Sequence, residues 1–233
     1  MIQWIETTFP NVYQLGWSGD YGWGIAIWQT IYMTIGSAFF GGLLGLAFGT
    51  GLVLTTENGI TPNRTVFQIL DKVVSVGRAI PFIIMVVAFS PLTQLIVGTT
   101  IGTTAALVPL SLGVFPFYAR QVQVALLGVD AGKVEAARSF GATNWDIITD
   151  VYLREGRSEL IRVSTVTLIS LVGLTAMAGA IGAGGLGTTA IVTGYQRFQN
   201  DVMWLATIII LLLIVLIQFV GDFFAKRAHH GWR

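Results

Sequence analysis

VMWLATIIILLLIVLIQFVGDFF, residues 202–224, carries one ionisable side chain, Asp222, and that near its end. At about 1.5 Å rise per residue, a helix needs about 20 mainly apolar residues to cross a hydrocarbon layer about 30 Å thick, so this stretch reads as a membrane span. Four further stretches qualify, at 23–54, 73–90, 102–119 and 163–182. Composition agrees with them: 54% of the 233 residues are hydrophobic and 11% charged, where a soluble domain carries about 25% charged residues. The expected fold is all-α and integral to the membrane, with five transmembrane helices over 23–224. Residues 1–22 have neither a basic start nor a continuous apolar run, so they read as a retained extracytoplasmic or interfacial segment rather than a cleaved signal. Trp4, Ile5, Phe9 and Trp17 suit the headgroup level of a membrane lipid surface. Residues 225–233 form a cytoplasmic tail.

Basic residues are retained on the cytoplasmic side of a membrane. Of the 13 Lys and Arg, all but Arg197 fall in one alternating set of connections and span ends: Arg64, Lys72 and Arg78; Arg120, Lys133, Arg138, Arg154, Arg157 and Arg162; Lys226, Arg227 and Arg233. The N-terminus is therefore expected outside and the C-terminus in the cytoplasm. Trp23 and Trp28 at the outer end of the first span, and Trp204 at that of the last, fit an aromatic belt. Helices in lipid associate through close backbone approach, so Ser37, Gly41, Gly45 and Gly49 in the first span, and Thr175, Gly179 and Ala183 in the fourth, predict tight packing within the chain.

Little in the spans can do chemistry. Asp71, Asp201 and Asp222 all fall near span ends, which argues against a proton-coupled carrier and against an intramembrane acid protease. Cysteine is absent, removing any thiol nucleophile and any disulfide framework. His229 and His230 lack further ligands at useful spacing, so no metal, no cofactor and no catalytic residue is expected. A net charge of +1 offers no basic field for nucleic acid. Gly182, Gly184 and Gly187 match G-x-G-x-x-G without the strand that a dinucleotide site requires, and read instead as a turn ending the fourth helix; no P-loop is present. Two features suit a gate. Arg78, the one deep charge, stands three residues before Pro81, whose ring is expected to kink the helix near Gly77; the other reading of Arg78 is a snorkelling or internally paired arginine. Met177 is a long thioether among Ala176, Ala178 and Gly179, able to project into a pathway and close it.

The longest polar stretch, 121–162, is too rich in helix formers to be a loose linker. Residues 134–140 read as a short helix stopped by Gly141, the residue best able to take the left-handed end geometry. Thr143 then caps a second helix, with Asp146 in the capping-box position. Trp145, Ile148 and Tyr152 are expected on one face of it, without a core of their own to enter. Such a surface implies a cytoplasmic partner, the alternative being a face laid against the membrane.

Glu135-Ala136-Ala137, then Gly141, then Val151-Tyr152-Leu153 resembles the EAA motif of ABC importer permeases, with valine for the usual isoleucine at Val151 and Arg154 in place of the usual proline. Residues 77–84, 97–102, 176–187 and 216–222 are similar to the methionine importer permeases of that family. The resemblance implies a small type I importer bundle in a bacterial plasma membrane. It also implies a homodimer of this chain, two cytoplasmic ABC ATPase subunits docked on Glu135, Ala136, Ala137, Gly141, Val151 and Leu153, and an extracytoplasmic substrate-binding protein. ATP hydrolysis then belongs to the ATPase, and transport is by alternating access. The alternatives are a permease for another amino acid, a peptide or an osmolyte, or a membrane assembly protein without transport.

Overall fold

The computed structural model describes residues 8–19 and 22–230; Trp4, Ile5 and the side chains of His229 and His230 lie outside that description. Its elements are helical: α1 Pro10–Leu15, α2 Trp23–Thr55, α3 Arg64–Ala79, α4 Phe82–Ala88, α5 Ser90–Val97, α6 Thr103–Leu127, α7 Ala131–Ser139, α8 Asn144–Asp146, α9 Arg157–Gly179, α10 Gly185–Thr188 and α11 Asn200–His230. Two stretches of wide π-helix extend α8 and α10, over Ile147–Leu153 and Thr189–Tyr195. Among the described residues, three helices are long and apolar enough to cross a membrane by themselves, α2, α9 and Asn200–Ala228 of α11; α6 qualifies together with α7, which follows it at a bend of 71°.

The expected second span is not one helix. Proline has no N–H to donate and disfavours helical geometry in the residue before it. Ile80 accordingly turns extended, at φ −77° and ψ 121°, and Pro81 heads a new helix. The break thus falls at Ile80 and Pro81 instead of as a kink near Gly77, and α3 begins at Arg64, well before the expected start. A second interruption at Phe89 separates α4 from α5.

Contacts divide the chain into two units. One takes the chain through Phe39, Pro81–Ser111 and Leu168–Leu216; the other takes Phe40–Ile80, Leu112–Thr167 and the chain from Ile217. In the first, Asp201 at the start of α11 accepts hydrogen bonds from the Asn11 amide at 3.1 Å, the Asn11 side chain at 3.0 Å and the Val12 amide at 3.3 Å. These satisfy α1 amides that no residue of α1 itself caps. Trp23 is buried here with Leu186, Val202 and Ala206, its indole N–H donating to the Val12 carbonyl at 3.1 Å. The aromatic-belt expectation therefore fails for Trp23, whose polar atom has found a partner inside; Trp28 and Trp204 are exposed as expected.

In the second unit, small residues set how closely helices meet. A Cβ on Gly49 would stand 2.5 Å from the Ala119 carbonyl oxygen and 2.6 Å from Val122 Cβ, and one on Gly45 would stand 2.8 Å from the Tyr118 ring. α3 lays Phe67, Leu70 and Val74 against Phe48, Leu52 and Ala119, and its Gly77 meets Pro116. Arg120 Nη2 joins Asp71 at 2.7 Å, a pair 49 residues apart in the chain. Ser37, Gly41, Gly45 and Gly49 are all buried, as are Thr175, Gly179 and Ala183, so both small-residue stripes serve packing within the chain.

Overfilling such a contact costs roughly 1–3 kcal/mol. Gly49→Val should lower the thermal midpoint of the detergent-solubilised protein by several degrees, whereas Gly42→Val, with nothing within 4 Å of its Cβ, should leave it unchanged. Equal midpoints for the two variants would remove the close approach at Gly49 as a stabilising contact.

Candidate functional site

The segment between α6 and α9 folds as two short helices around a glycine. Asp130 caps α7, accepting from the Gly132 amide at 2.7 Å. At the other end, the Gly141 amide donates to the Arg138 carbonyl at 2.9 Å and the Ala142 amide to the Ala137 carbonyl at 3.0 Å, which is the paired closure of a left-handed helix end. Gly141 has φ +82° with no atom within 4 Å of a Cβ position, so glycine is required there for backbone geometry and not for space.

Thr143 and Asp146 form the expected capping box. The threonine hydroxyl accepts from the Asp146 amide at 3.2 Å, and Asp146 Oδ2 accepts from the Thr143 amide at 2.8 Å and the Thr143 hydroxyl at 2.6 Å. These hydrogen bonds, the hydroxyl's first and the amide's second, hold the Asp146 carboxyl below its ordinary pKa.

The expected face of Trp145, Ile148 and Tyr152 does not form. A π-helix closes i to i+5 bonds, so residues five apart share a side, and here these are Ile147 and Tyr152. Both are buried, together with Val134 of α7, in a cluster with Val53, Ile60, Val122 and Leu126. Ala137, Ile148, Val151 and Leu153 pack against that cluster. The loop therefore has a core to enter, at the C-terminal ends of α2 and α6. Burial raises the Tyr152 pKa, with Arg138 opposing the shift. Left outside are Glu135, Ala136, Gly141, Phe140 at 92% exposure and Trp145 at 70%. Lys133 Nζ meets Glu155 Oε2 at 2.6 Å, joining α7 to the residues between the π-helix and α9.

The motif residues thus separate into two sets. Ala137, Val151 and Leu153 anchor the pair of helices, while Glu135, Ala136 and Gly141 stand on its open side. The gate candidates are not brought together with these. Arg78 is exposed on the surface of the chain at the end of α3, and Pro81 heads α4. Met177 is 46% exposed near the end of α9, between Ala176 and the buried Ala178.

The glycine run 182–187 ends α9 and opens α10, with no strand before it among the described residues. Gly182, Gly184 and Gly185 all take positive φ. The α10 amides are capped from α2: Gln29 Oε1 accepts from Gly185 at 2.7 Å and Thr30 Oγ1 from Leu186 at 2.9 Å. No local pattern pointed to Gln29 or Thr30, which lie 156 residues from their partners.

Residues 41–230 match the family model of the binding-protein-dependent transport system inner membrane component. This chain belongs to that family. The chain is 46% identical over 207 residues to the probable D-methionine transport system permease protein MetI of Pasteurella multocida, covering 89% of this chain and 95% of that one. It is 42% identical over 218 residues to the methionine import system permease protein MetP of Bacillus subtilis, covering 93% and 95%. A solved structure of the MetNI methionine ABC transporter in an inward-facing conformation superposes with a TM-score of 0.87 at 41% identity, covering 88% of this chain and 95% of that one. The family's all-helical membrane fold, expected from the apolar spans, is the fold observed.

The capping box carries a pH dependence. A carboxylate whose pKa is depressed on folding stabilises above its ordinary unfolded value, and that contribution is lost as pH falls through the folded value. Amide exchange at Asp146 and Ile147 should therefore quicken, relative to the intrinsic rate, as pH drops below about 4, the ordinary range for Asp. Thr143→Val should flatten the dependence. An unchanged pH profile in that variant would contradict the hydrogen-bonded origin of the shift.

Proposed function

We propose that this chain is the permease subunit of an ATP-driven importer of methionine, working as a homodimer with two cytoplasmic ATPase subunits and an extracytoplasmic binding protein. The observation that carries it is the α7–α8 pair, a rigid two-helix unit whose inner side is anchored on α2 and α6 and whose outer side presents Glu135, Phe140 and Trp145 to a partner. The similarity to methionine permeases over most of the chain supports the cargo. The membrane orientation rests on the charges: with the N-terminus outside and the C-terminus in the cytoplasm, all basic residues but Arg197 lie on the cytoplasmic side. α2, α6, α9 and α11 supply four crossings and the interrupted segment 64–97 a fifth.

ATP binding draws the ATPases together, the docked helix pair moves with them, and the two permease copies rock between inward and outward openings. A ligand shifts such an equilibrium only by contacts that differ between the two states, and the α7–α8 surface supplies them. Met177 closes the pathway, while Arg78 and Pro81 lie beside a ready-made hinge.

Proteoliposomes holding the permease, its ATPase and its binding protein should take up methionine only with ATP inside the ATPase-facing compartment. Uptake of another amino acid, a peptide or an osmolyte in preference to methionine overturns the cargo, and absence of ATP-driven uptake overturns the class. The chain has no cysteine, so single-cysteine variants report orientation directly. Phe198→Cys should react with an impermeant thiol reagent outside intact cells and Phe140→Cys should not, the reverse pattern sinking the orientation. Gly141→Asp adds a charge to the docking side and strains a positive-φ position by on the order of 1 kcal/mol; it should insert normally yet lose assembly with the ATPase or ATP-driven uptake. Met177→Ala should raise ATP hydrolysis without substrate, and unchanged hydrolysis with intact transport leaves Met177 as ordinary packing.

A further inference from the structure

We infer that Arg138 is a positioning residue of the coupling unit, the polar tie through which movement of the α7–α8 pair reaches the connection between α2 and α3. The inference rests on the coupling role proposed for that pair. Arg138 Nη2 donates to the Ile60 carbonyl at 2.6 Å, across 78 residues of chain. The motif residues around it lead elsewhere: Ala137 faces the apolar cluster and Glu135 the open side.

The turn that Arg138 grips is built to pass on a displacement. α2 ends at Thr55, and its last carbonyls are taken up by the turn itself: the Thr61 amide donates to Leu54 at 3.0 Å and the Asn63 amide to Thr55 at 3.1 Å, while within the turn the Gly59 amide donates to Thr56 at 2.9 Å. Gly59 lies so close against the Leu54 carbonyl that a side chain there would clash. Asn63 then caps α3, its Oδ1 accepting from the Val66 amide at 3.1 Å. The turn is thus hydrogen-bonded to the helix before it and the helix after it, with little slack between. Ile60 itself is buried in the cluster that holds Val134, Ile147 and Tyr152.

Apolar contacts hold the α7–α8 pair on this turn but are non-directional, and side chains in such contact can slide. A guanidinium on a backbone carbonyl adds direction, and a charged donor strengthens the bond. Beside it lies an open groove of about 590 Å³ whose lining includes Glu57, Asn58, Glu135, Arg138 and Tyr152, so this edge of α7 and the turn is not packed against other protein. Without the tie, α7 has room to move before the turn follows. Arg138 acts through the turn and touches no substrate.

The test uses the complete complex in proteoliposomes, permease with its ATPase and binding protein, comparing Arg138→Ala and Arg138→Lys with the unsubstituted chain. In Arg138→Ala the ATPase should co-purify at the normal ratio and ATP hydrolysis should persist, while methionine taken up per ATP hydrolysed falls about fivefold or more. Arg138→Lys keeps a cation able to reach the same carbonyl and should recover most of that ratio. A normal ratio in Arg138→Ala overturns the inference. Loss of the ATPase from the purified Arg138→Ala complex also overturns it, by making the residue part of the docking surface. A lysine variant no better than alanine does the same. Absence of ATP-driven uptake in the unsubstituted complex instead overturns the coupling reading on which the inference depends.

Discussion

The structure depends on backbone approaching backbone. Lipid is as apolar as leucine, so helices in it gain little by burying apolar side chains and much by meeting closely enough for dispersion to accumulate. Gly45 and Gly49 let α2 lie against the Phe115 and Ala119 carbonyls of α6, and Gly77 lets α3 meet Pro116. That contact fixes where the C-terminal end of α2 stands. Val53 and Ile60, with Val122 and Leu126 of α6, then make the floor on which Val134, Ile147 and Tyr152 settle.

Placing the two-helix unit on that floor has a mechanical meaning. Its own local geometry is stiff: a paired hydrogen-bonded closure at Gly141, a capping box at Thr143 and a Lys133–Glu155 ion pair. Exposed ion pairs contribute little to stability, but geometry repeated at three points leaves few soft torsions. Phe140 and Trp145 stand on the outer side of this tightly bonded unit. The π-helix matters in the same sense, since its wider turn aims Tyr152 as well as Ile147 inward and leaves Trp145 outside.

Around the glycine run the same economy is reached by other means. Three positive-φ glycines bring the chain out of α9 and into α10. Helix starts leave amides without partners, and in an apolar setting each must be met. Gln29 and Thr30 of α2 meet two of them, and Asp201 does the same for α1. Thr30, Thr34, Thr165, Thr167 and Thr207 likewise turn their hydroxyls onto carbonyls of the preceding helical turn.

Properties set by neighbours along the chain were legible in the residues. Apolar length marked α2, α9 and α11 as spans, because crossing lipid is a requirement on consecutive residues. Gly141 and the Thr143–Asp146 box were legible for the same reason, since helix ends are decided within about four residues. The spacing of small residues foretold the close packing of α2. Tertiary structure decided the rest. Pro81 promised a disturbance, yet whether the helix bends or breaks there turns on what the freed groups meet. Trp145, Ile148 and Tyr152 looked like one face only on the assumption of an ordinary helical period, which the π-helix replaced. Trp23 turned inward because Val12 offered its indole a carbonyl, and Arg138 found Ile60 across 78 residues. Such pairings join groups that no window of sequence holds together, and only folding brings their donors and acceptors within reach.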